Sequence, residues 1–450
     1  MRIFKRLWKI LFFIALFAVF NGLFSFFVEP FCSSSSEMWD KYRAKADTDI
    51  DMIYIGTSAC YEDIDPSVVD EYTGLTSYNM GTNSQTFYLS REALLTAIED
   101  HNISQAVFVF DDYYLLNDQN HNARAEASFI HAQNKGTAIP GRLYRSLKYM
   151  FDPEYMDTTF SVNYLFPWLV NRMRVKDKIF QEEMRVKLGL DEAVISDTNN
   201  IREEDGFKPF HYTLDFSRLS VYTKAWSAGN INEDALDTVK DIINICDENN
   251  VKLTFVVPPY PAAKVLARGN NYFEKLTYIK RLLSNYDVNY YDFNVAHSDL
   301  FEYSSEYFKD ENHCNVTGAT AFSKALGTLL TKTSDGSNLN SKFYWDWDSY
   351  AASVDWIDNV ELVATAKNGS GIKLQAYARA GSMVYVKYLF QYYDEEAEEF
   401  VTFRTYDWSS EAWFVPENSG KYTFRVIVKK VNGDDGERRR KSVHVSYYAN

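Results

Sequence analysis

Three residues of this chain have the types and settings that acyl transfer needs: Ser58, His313 and Asp310. Ser58 closes the run Asp51-Met52-Ile53-Tyr54-Ile55-Gly56-Thr57-Ser58, so a hydroxyl follows an apolar strand on a turn. Asp310 stands three residues before His313 in Asp310-Glu311-Asn312-His313-Cys314-Asn315, close enough to share one short loop. A carboxylate there could fix the imidazole tautomer, the imidazole could take the serine proton, and the serine could attack an ester carbonyl. Neither segment decides the matter alone. A Gly-Thr-Ser after a strand also suits a helix N-cap, and Asp-x-x-His also arises by chance or as a surface pair.

The elements that would position these residues read as an α/β fold. Strands are expected at 52–55, 106–110 (continuously apolar) and 252–257, with others at 77–80 and 288–292. Helical spacing marks 90–99 and 234–249. Alternation of this kind predicts a three-layer α/β/α domain around a parallel sheet. Ligands of such sheets bind beyond the carboxyl ends of the strands, where Ser58, Gly81, Asp111, Asp112 and Tyr260 fall. The backbone N–H groups of Ser58 and Gly81 are the candidate oxyanion donors, since a glycine leaves the approach open. Asn315 is expected to cap a helix starting at Val316 and so to fix the loop carrying His313. The stretch 113–233 is too long for a simple crossover and reads as an inserted cap, with helices near 142–150 and 165–187. Within it Tyr164, Phe166, Trp168 and Trp226 could stack on sugar rings or form cap core. Asp111, Asp112, Tyr260 and Trp168 are the candidate substrate contacts.

At this point the chain resembles the SGNH (GDSL-like) hydrolases, on three short motifs in order. Gly56-Thr57-Ser58 matches the nucleophile block, Tyr78-Asn79-Met80-Gly81-Thr82 the second block, and Asp310-Glu311-Asn312-His313-Cys314-Asn315 the terminal block. The resemblance covers about residues 50–330 and is nearest the membrane-anchored branch of DltD-, AlgJ- and AlgX-type proteins of cell-surface polymer acylation. Where many SGNH members have an oxyanion-donating Asn in the third block, this chain reads Val109-Phe110-Asp111-Asp112. The resemblance implies a serine esterase or O-acyltransferase acting on a cell-surface or secreted polysaccharide. It also implies a multi-spanning membrane O-acyltransferase as the partner that delivers acyl groups. A carbohydrate O-acetyl esterase and a non-catalytic polymer-binding module are the alternatives.

The rest of the chain sets the location. Arg2, Lys5, Arg6 and Lys9 precede an apolar run over 10–28, interrupted by Asn21, Gly22 and Ser25. About 20 apolar residues span a bilayer as a helix, so this run is long enough. The basic flank puts the N-terminus in the cytoplasm and the remainder outside, and the absence of a small-x-small site favours an uncleaved single-pass anchor over a cleaved signal peptide. The expected organisation is a basic stub at 1–9, the anchor at 10–28 and a polar linker at 29–49. The catalytic domain follows at 50–332, then a second linker at 333–344 and an all-β sandwich at 345–450. In the last part apolar alternation over 360–365, 373–377, 385–390, 400–405, 422–429 and 442–447 is punctuated by turn residues. Trp413, Pro416, Gly420 and Tyr422 resemble Ig-like "triple tyrosine" modules. The acidic run 394–399 and the basic run 438–441 read as solvated hairpin tips.

Composition excludes some classes. A net charge of −15 over 450 residues argues against nucleic acid. Seven scattered histidines show no ligand spacing, so neither a metal nor a cofactor is expected. The four cysteines form no disulfide framework, although Cys60 and Cys314 each lie within two residues of a candidate catalytic group.

Overall fold

Met52–Gly56 forms β1, and all five residues are buried, as a strand covered on both faces requires. In this computed structural model β1 pairs in parallel with β2 (Ser77–Asn79) and β3 (Gln105–Val109), Met52 lying opposite Ser77 and Gln105. With β4 (Lys252–Val257) and β5 (Asn289–Asp292) the sheet order is β2-β1-β3-β4-β5. That is a doubly wound order whose direction reverses between β1 and β3, and ligands of such sheets bind outside the strand ends at that reversal. The described residues are 2–30, 33–110, 115, 123–151, 162–191, 201–219, 221, 226–228, 231–431 and 438–449. The chain divides, within β4, into two units: Met1–Pro209 with Ile231–Phe255, and Phe210–Asn230 with Val256–Asn450.

The first unit opens with α1 (Arg2–Val28), which contains a stretch, Arg6–Val28, long and apolar enough to cross a membrane. The linker expected at 29–49 is not unstructured. Its serines build a capping box, Ser33 with Ser36, that starts α2 (Ser34–Ala44). Met38, Trp39 and Tyr42 of α2 are buried, Trp39 lying 5.2 Å from Phe129. Next come α3 (Ser58–Asp63), α4 (Pro66–Thr73) and α5 (Phe87–Asp100). Phe87, Phe108 and Phe255 form the aromatic centre, Phe108 standing 5.3 and 5.4 Å from the other two. The inserted region folds as α6 (Ala123–Asn134), α7 (Ile139–Phe151), α8 (Pro167–Asn171) and α9 (Lys178–Lys187), before α10 (Glu233–Glu248). The single helix expected over 165–187 is broken. Pro167 suits only the first turn, so the helix starts there, and it is interrupted by a 3₁₀ stretch at Arg172–Lys176.

The second unit carries α11 (Ala263–Arg268), α12 (Asn270–Leu283), α13 (Val316–Ser334) and α14 (Trp347–Ser353). Its C-terminal part is two antiparallel sheets, β10-β7-β6 and β12-β11-β8-β9. The six expected strands correspond to β6 (Ile357–Lys367), β7 (Gly371–Ala380), β8 (Val386–Asp394), β9 (Glu399–Asp407), β11 (Gly420–Lys430) and β12 (Arg438–Tyr447). The four-residue β10 (Glu411–Phe414) has no sequence signal of its own, being too short to alternate. Val360, Leu374, Phe390, Phe424 and Val426 are fully buried in the resulting core. The basic run 438–441 is strand, not hairpin tip: Arg439 Nε donates to the Asp358 carbonyl and Lys441 Nζ to that of Leu219, two residues apart on one strand face.

Candidate active site

The nucleophile turn begins with a steric requirement. Gly56 has φ 149°, and a Cβ there would stand 2.8 Å from Val109 Cβ and 2.9 Å from the Val109 carbonyl oxygen. Only glycine lets β1 end hard against β3 and release the chain into a turn. Thr57 then takes the N-cap position and Ser58 the first residue of α3, half-buried. The second block runs beside this turn. Met80 N–H donates to the Tyr54 carbonyl at 2.8 Å and Thr82 N–H to that of Gly56 at 3.2 Å.

Gly81 lies between them. Its N–H donates to Asn79 Oδ1 at 3.1 Å, a turn in which an Asn side chain captures an amide two residues on. Asn79 Oδ1 thus holds the candidate oxyanion N–H in place. Asn79 is fully buried and ties the two blocks together, its Nδ2 donating to the Cys60 and Ile64 carbonyls at 2.8 and 3.2 Å. The Cys60 thiol donates to the same Oδ1 at 3.2 Å, and burial pushes its pKa well up, so it is a small core residue and not a rival nucleophile.

Arg202 was invisible to sequence reasoning. It follows the inserted helices in the acid-rich Arg202-Glu203-Glu204-Asp205, which reads as a solvated run, yet its side chain is fully buried. The guanidinium donates to the carbonyls of Gly81 at 2.8 Å, Gly206 at 3.0 Å and Asn79 at 3.3 Å, and lies 4.4 Å from the Tyr61 ring centroid. Gly206, φ 94°, permits this, because a Cβ there would fall 2.3 Å from the Asn79 carbonyl oxygen. Arg202→Leu strips donors from three carbonyls; it is expected to cost about 3 kcal/mol or more, read as a lower Tm, with partial rescue by Arg202→Lys.

The acid–base half lies in the second unit on one tight loop. Phe308 and Cys314 bridge in antiparallel fashion, and Lys309 N–H donates to the His313 carbonyl at 3.1 Å. Asp310 Oδ1 accepts the N–H groups of Asn312 and His313 at 2.8 and 3.0 Å. Its two oxygens stand 2.9 and 3.0 Å from His313 Nδ1. Burial raises the Asp310 pKa, but the hydrogen bond and charge of His313, the Asn312 N–H and nearby Lys309 outweigh it and hold the carboxyl at about 2. An ionised carboxylate only accepts, so Nδ1 carries the proton and Nε2 keeps its lone pair.

Asn315 caps α13 as expected, accepting the Gly318 N–H at 3.0 Å while its Nδ2 donates to the Glu306 carbonyl at 2.7 Å. Lys264 holds the outer side of the loop, donating to the Glu311 carbonyl at 3.1 Å and to Asn312 Oδ1 at 2.7 Å. Its ammonium also sits 4.4 Å from the Tyr260 ring centroid, and Tyr260 hydroxyl donates to that of Tyr272 at 3.0 Å.

The candidate residues are thus distributed as follows. Ser58 and Gly81 share the first unit; Asp310, His313 and Tyr260 share the second. Asp111 and Asp112 lie outside the described residues. Trp168 Nε1 donates to Asn21 Oδ1 at 2.9 Å and its ring lies 6.1 Å from that of Phe24. Tyr164 is cap core, its hydroxyl donating to Glu126 at 3.0 Å. Among the described residues Cys60, Cys246 and Cys314 are buried and form no disulfide.

No family model matches the chain, and no curated protein matches it. Solved structures do. One is provisionally named a platelet activating factor, from Streptococcus pneumonia, with 13% identity, 66% of this chain and 92% of that chain covered and a TM-score of 0.31. Another is provisionally named an acylhydrolase, from Bacteroides fragilis, with 10% identity, 65% and 96% covered and a TM-score of 0.29. The PKD1 domain of Vibrio anguillarum Epp matches with 8% identity over 20% of this chain and 93% of its own, at a TM-score of 0.15.

Proposed function

We propose that this protein is a membrane-anchored SGNH-type serine acyltransferase that moves an acyl group, acetyl in the simplest case, onto a cell-surface polysaccharide. The observation that carries this reading is the Asp310–His313 pair, whose geometry leaves Nε2 as a base of fixed direction. Support on the nucleophile side comes from Ser58, which follows β1 at the reversal of strand order where doubly wound sheets bind ligands.

In this mechanism Ser58 Oγ attacks the acyl carbonyl while His313 Nε2 takes its proton, and Asp310 stabilises the imidazolium. The Ser58 N–H supports the oxyanion, with the Gly81 N–H shared between that oxygen and Asn79 Oδ1. Collapse breaks the bond to the leaving group, which receives the proton from His313. The resulting acyl-serine is then attacked by a polysaccharide hydroxyl that His313 deprotonates; the bond from the acyl carbon to Ser58 Oγ breaks, and Oγ takes the proton back from His313. Water in place of that hydroxyl would make the same machinery an O-acetyl esterase. The anchor favours transfer, because an active domain outside the cell has no acetyl-coenzyme A and needs acyl groups delivered across the bilayer. A multi-spanning membrane O-acyltransferase is the partner of suitable chemistry.

Mass analysis of the surface polysaccharide separates the directions. Cells carrying Ser58→Ala should lose O-acetyl groups. Accumulation would mean the protein removes them, and an unchanged glycan would leave only a binding role.

A further inference from the structure

We propose that the inserted segments 139–151 and 162–190 form a second membrane-contacting element, wedged into the leaflet at the C-terminal end of α1 and resting on anionic lipid headgroups. This depends on α1 as a membrane span and not on the catalytic assignment. The argument uses α1 as a depth scale. The span ends at Val28, and a helix rises about 1.5 Å per residue. Asn21 and Phe17 therefore lie about 10 and 16 Å below that end, inside a hydrocarbon core about 30 Å thick. The insert reaches both levels. Phe166 packs edge-on to Phe17 with centroids 5.6 Å apart, and Trp168 donates its indole N–H to Asn21. That bond gives a partner to the polar side chain that interrupts the span, where an unpaired amide would be costly.

The polar groups of the same segment sit at the opposite level. Arg174 donates to the Val28 carbonyl at 3.1 Å and pairs with Glu183, while Lys187 donates to the Phe26 carbonyl at 2.6 Å and to that of Glu29. Cations at the exit with aromatics beneath them is the layering of a membrane interface. The flanking helices continue it. Ile139 and Leu143 of α7, four residues apart on one helix face, are 78% and 51% exposed. Met173, Val175 and Ile179, at 59%, 49% and 62%, are likewise exposed large apolar side chains. Around them the charge is positive although the whole chain is at −15: Arg142, Arg145 and Lys148 are the charged residues of α7, and Arg172, Lys176 and Lys178 flank α8 and α9. A basic surface with exposed apolar side chains fits an anionic interface.

The test uses the full chain reconstituted in phosphatidylcholine–phosphatidylglycerol vesicles whose acyl chains carry bromine, which quenches tryptophan in contact with lipid. Trp168→Phe should remove a quenchable part of the emission. Ile179→Trp should add one, quenched best by bromine near the headgroup. Trp8→Phe reports α1 independently. If Trp8 is quenched while Trp168 and the new indole at position 179 are not, α1 spans the membrane and the proposal is wrong. If Trp8 is not quenched either, the span fails and the proposal fails with it. An indole at 179 shielded from both brominated lipid and aqueous iodide would mean that protein, a second copy or a partner, covers this face, which also overturns it.

Discussion

Ser58→Ala is expected to lower kcat on a small acetyl ester by about five orders of magnitude or more, with the protein still folded. The two halves of this expectation have separate causes. Without Oγ no acyl-enzyme can form, and what remains is the rate that positioning and oxyanion stabilisation give to water. The fold, by contrast, does not use the hydroxyl as a helix cap, because Thr57 occupies the N-cap and Ser58 is the first helical residue. Alanine is at least as good a helix former there, so Tm should move by no more than about 2 °C. Steady-state kinetics together with a thermal melt check both. Full activity in the variant would remove Ser58 from the mechanism.

The second large effect is that of Asp310→Asn, expected to reduce kcat by about 10⁴-fold with KM little changed. An asparagine keeps an oxygen for the N–H groups of Asn312 and His313, so the loop survives. Its amide, however, presents a donor to Nδ1, and the ring must then carry its proton on Nε2, where it can no longer accept one from serine. The pH profile adds a sign. In the native loop the Asp310 pKa lies near 2, below its ordinary value of 3.8. Any stability it contributes is therefore complete above about pH 4 and lost as the pH falls toward 2. The Tm difference between wild type and Asp310→Asn should narrow over that window. A difference that keeps growing below pH 4 would contradict the assignment of that carboxylate.

The parts of this molecule legible in the sequence are those whose cause is local. β1 and β3 are continuous apolar runs, and Asp310 reaches His313 because three residues of loop suffice. Asn315 caps α13 from its own side chain. Six sandwich strands alternate with period two over enough residues to show it. What was not legible depends on distant partners. Met38, Trp39 and Tyr42 look like strays in a polar connector until Phe129 and Tyr78 are seen to cover them. The partner of Trp168, Asn21, is equally remote in sequence. Arg202 reads as one more surface charge, and only the close approach of Gly206 to Asn79 turns it into the clamp of the second block. The start of α8 at Pro167 and not at Leu165 was in principle readable, since a proline suits only the first turn of a helix.

Asp358 gives the C-terminal β-sandwich a meaning beyond that of an appended module. This buried carboxylate near the start of β6 accepts the Ala263 N–H at 2.7 Å and the Tyr303 hydroxyl, and so holds the first turn of α11. The next residue is Lys264, which grips the loop at Glu311 and Asn312. Removing the sandwich would therefore unfasten a support of the loop that carries the imidazole. A truncated protein would lose activity for mechanical reasons even if the sandwich never touches polysaccharide. The module also cannot be exchanged freely between proteins: an unrelated sandwich lacking an acid at this position would leave an amide and a phenol buried without an acceptor. Shuffling at this boundary is constrained by a single residue.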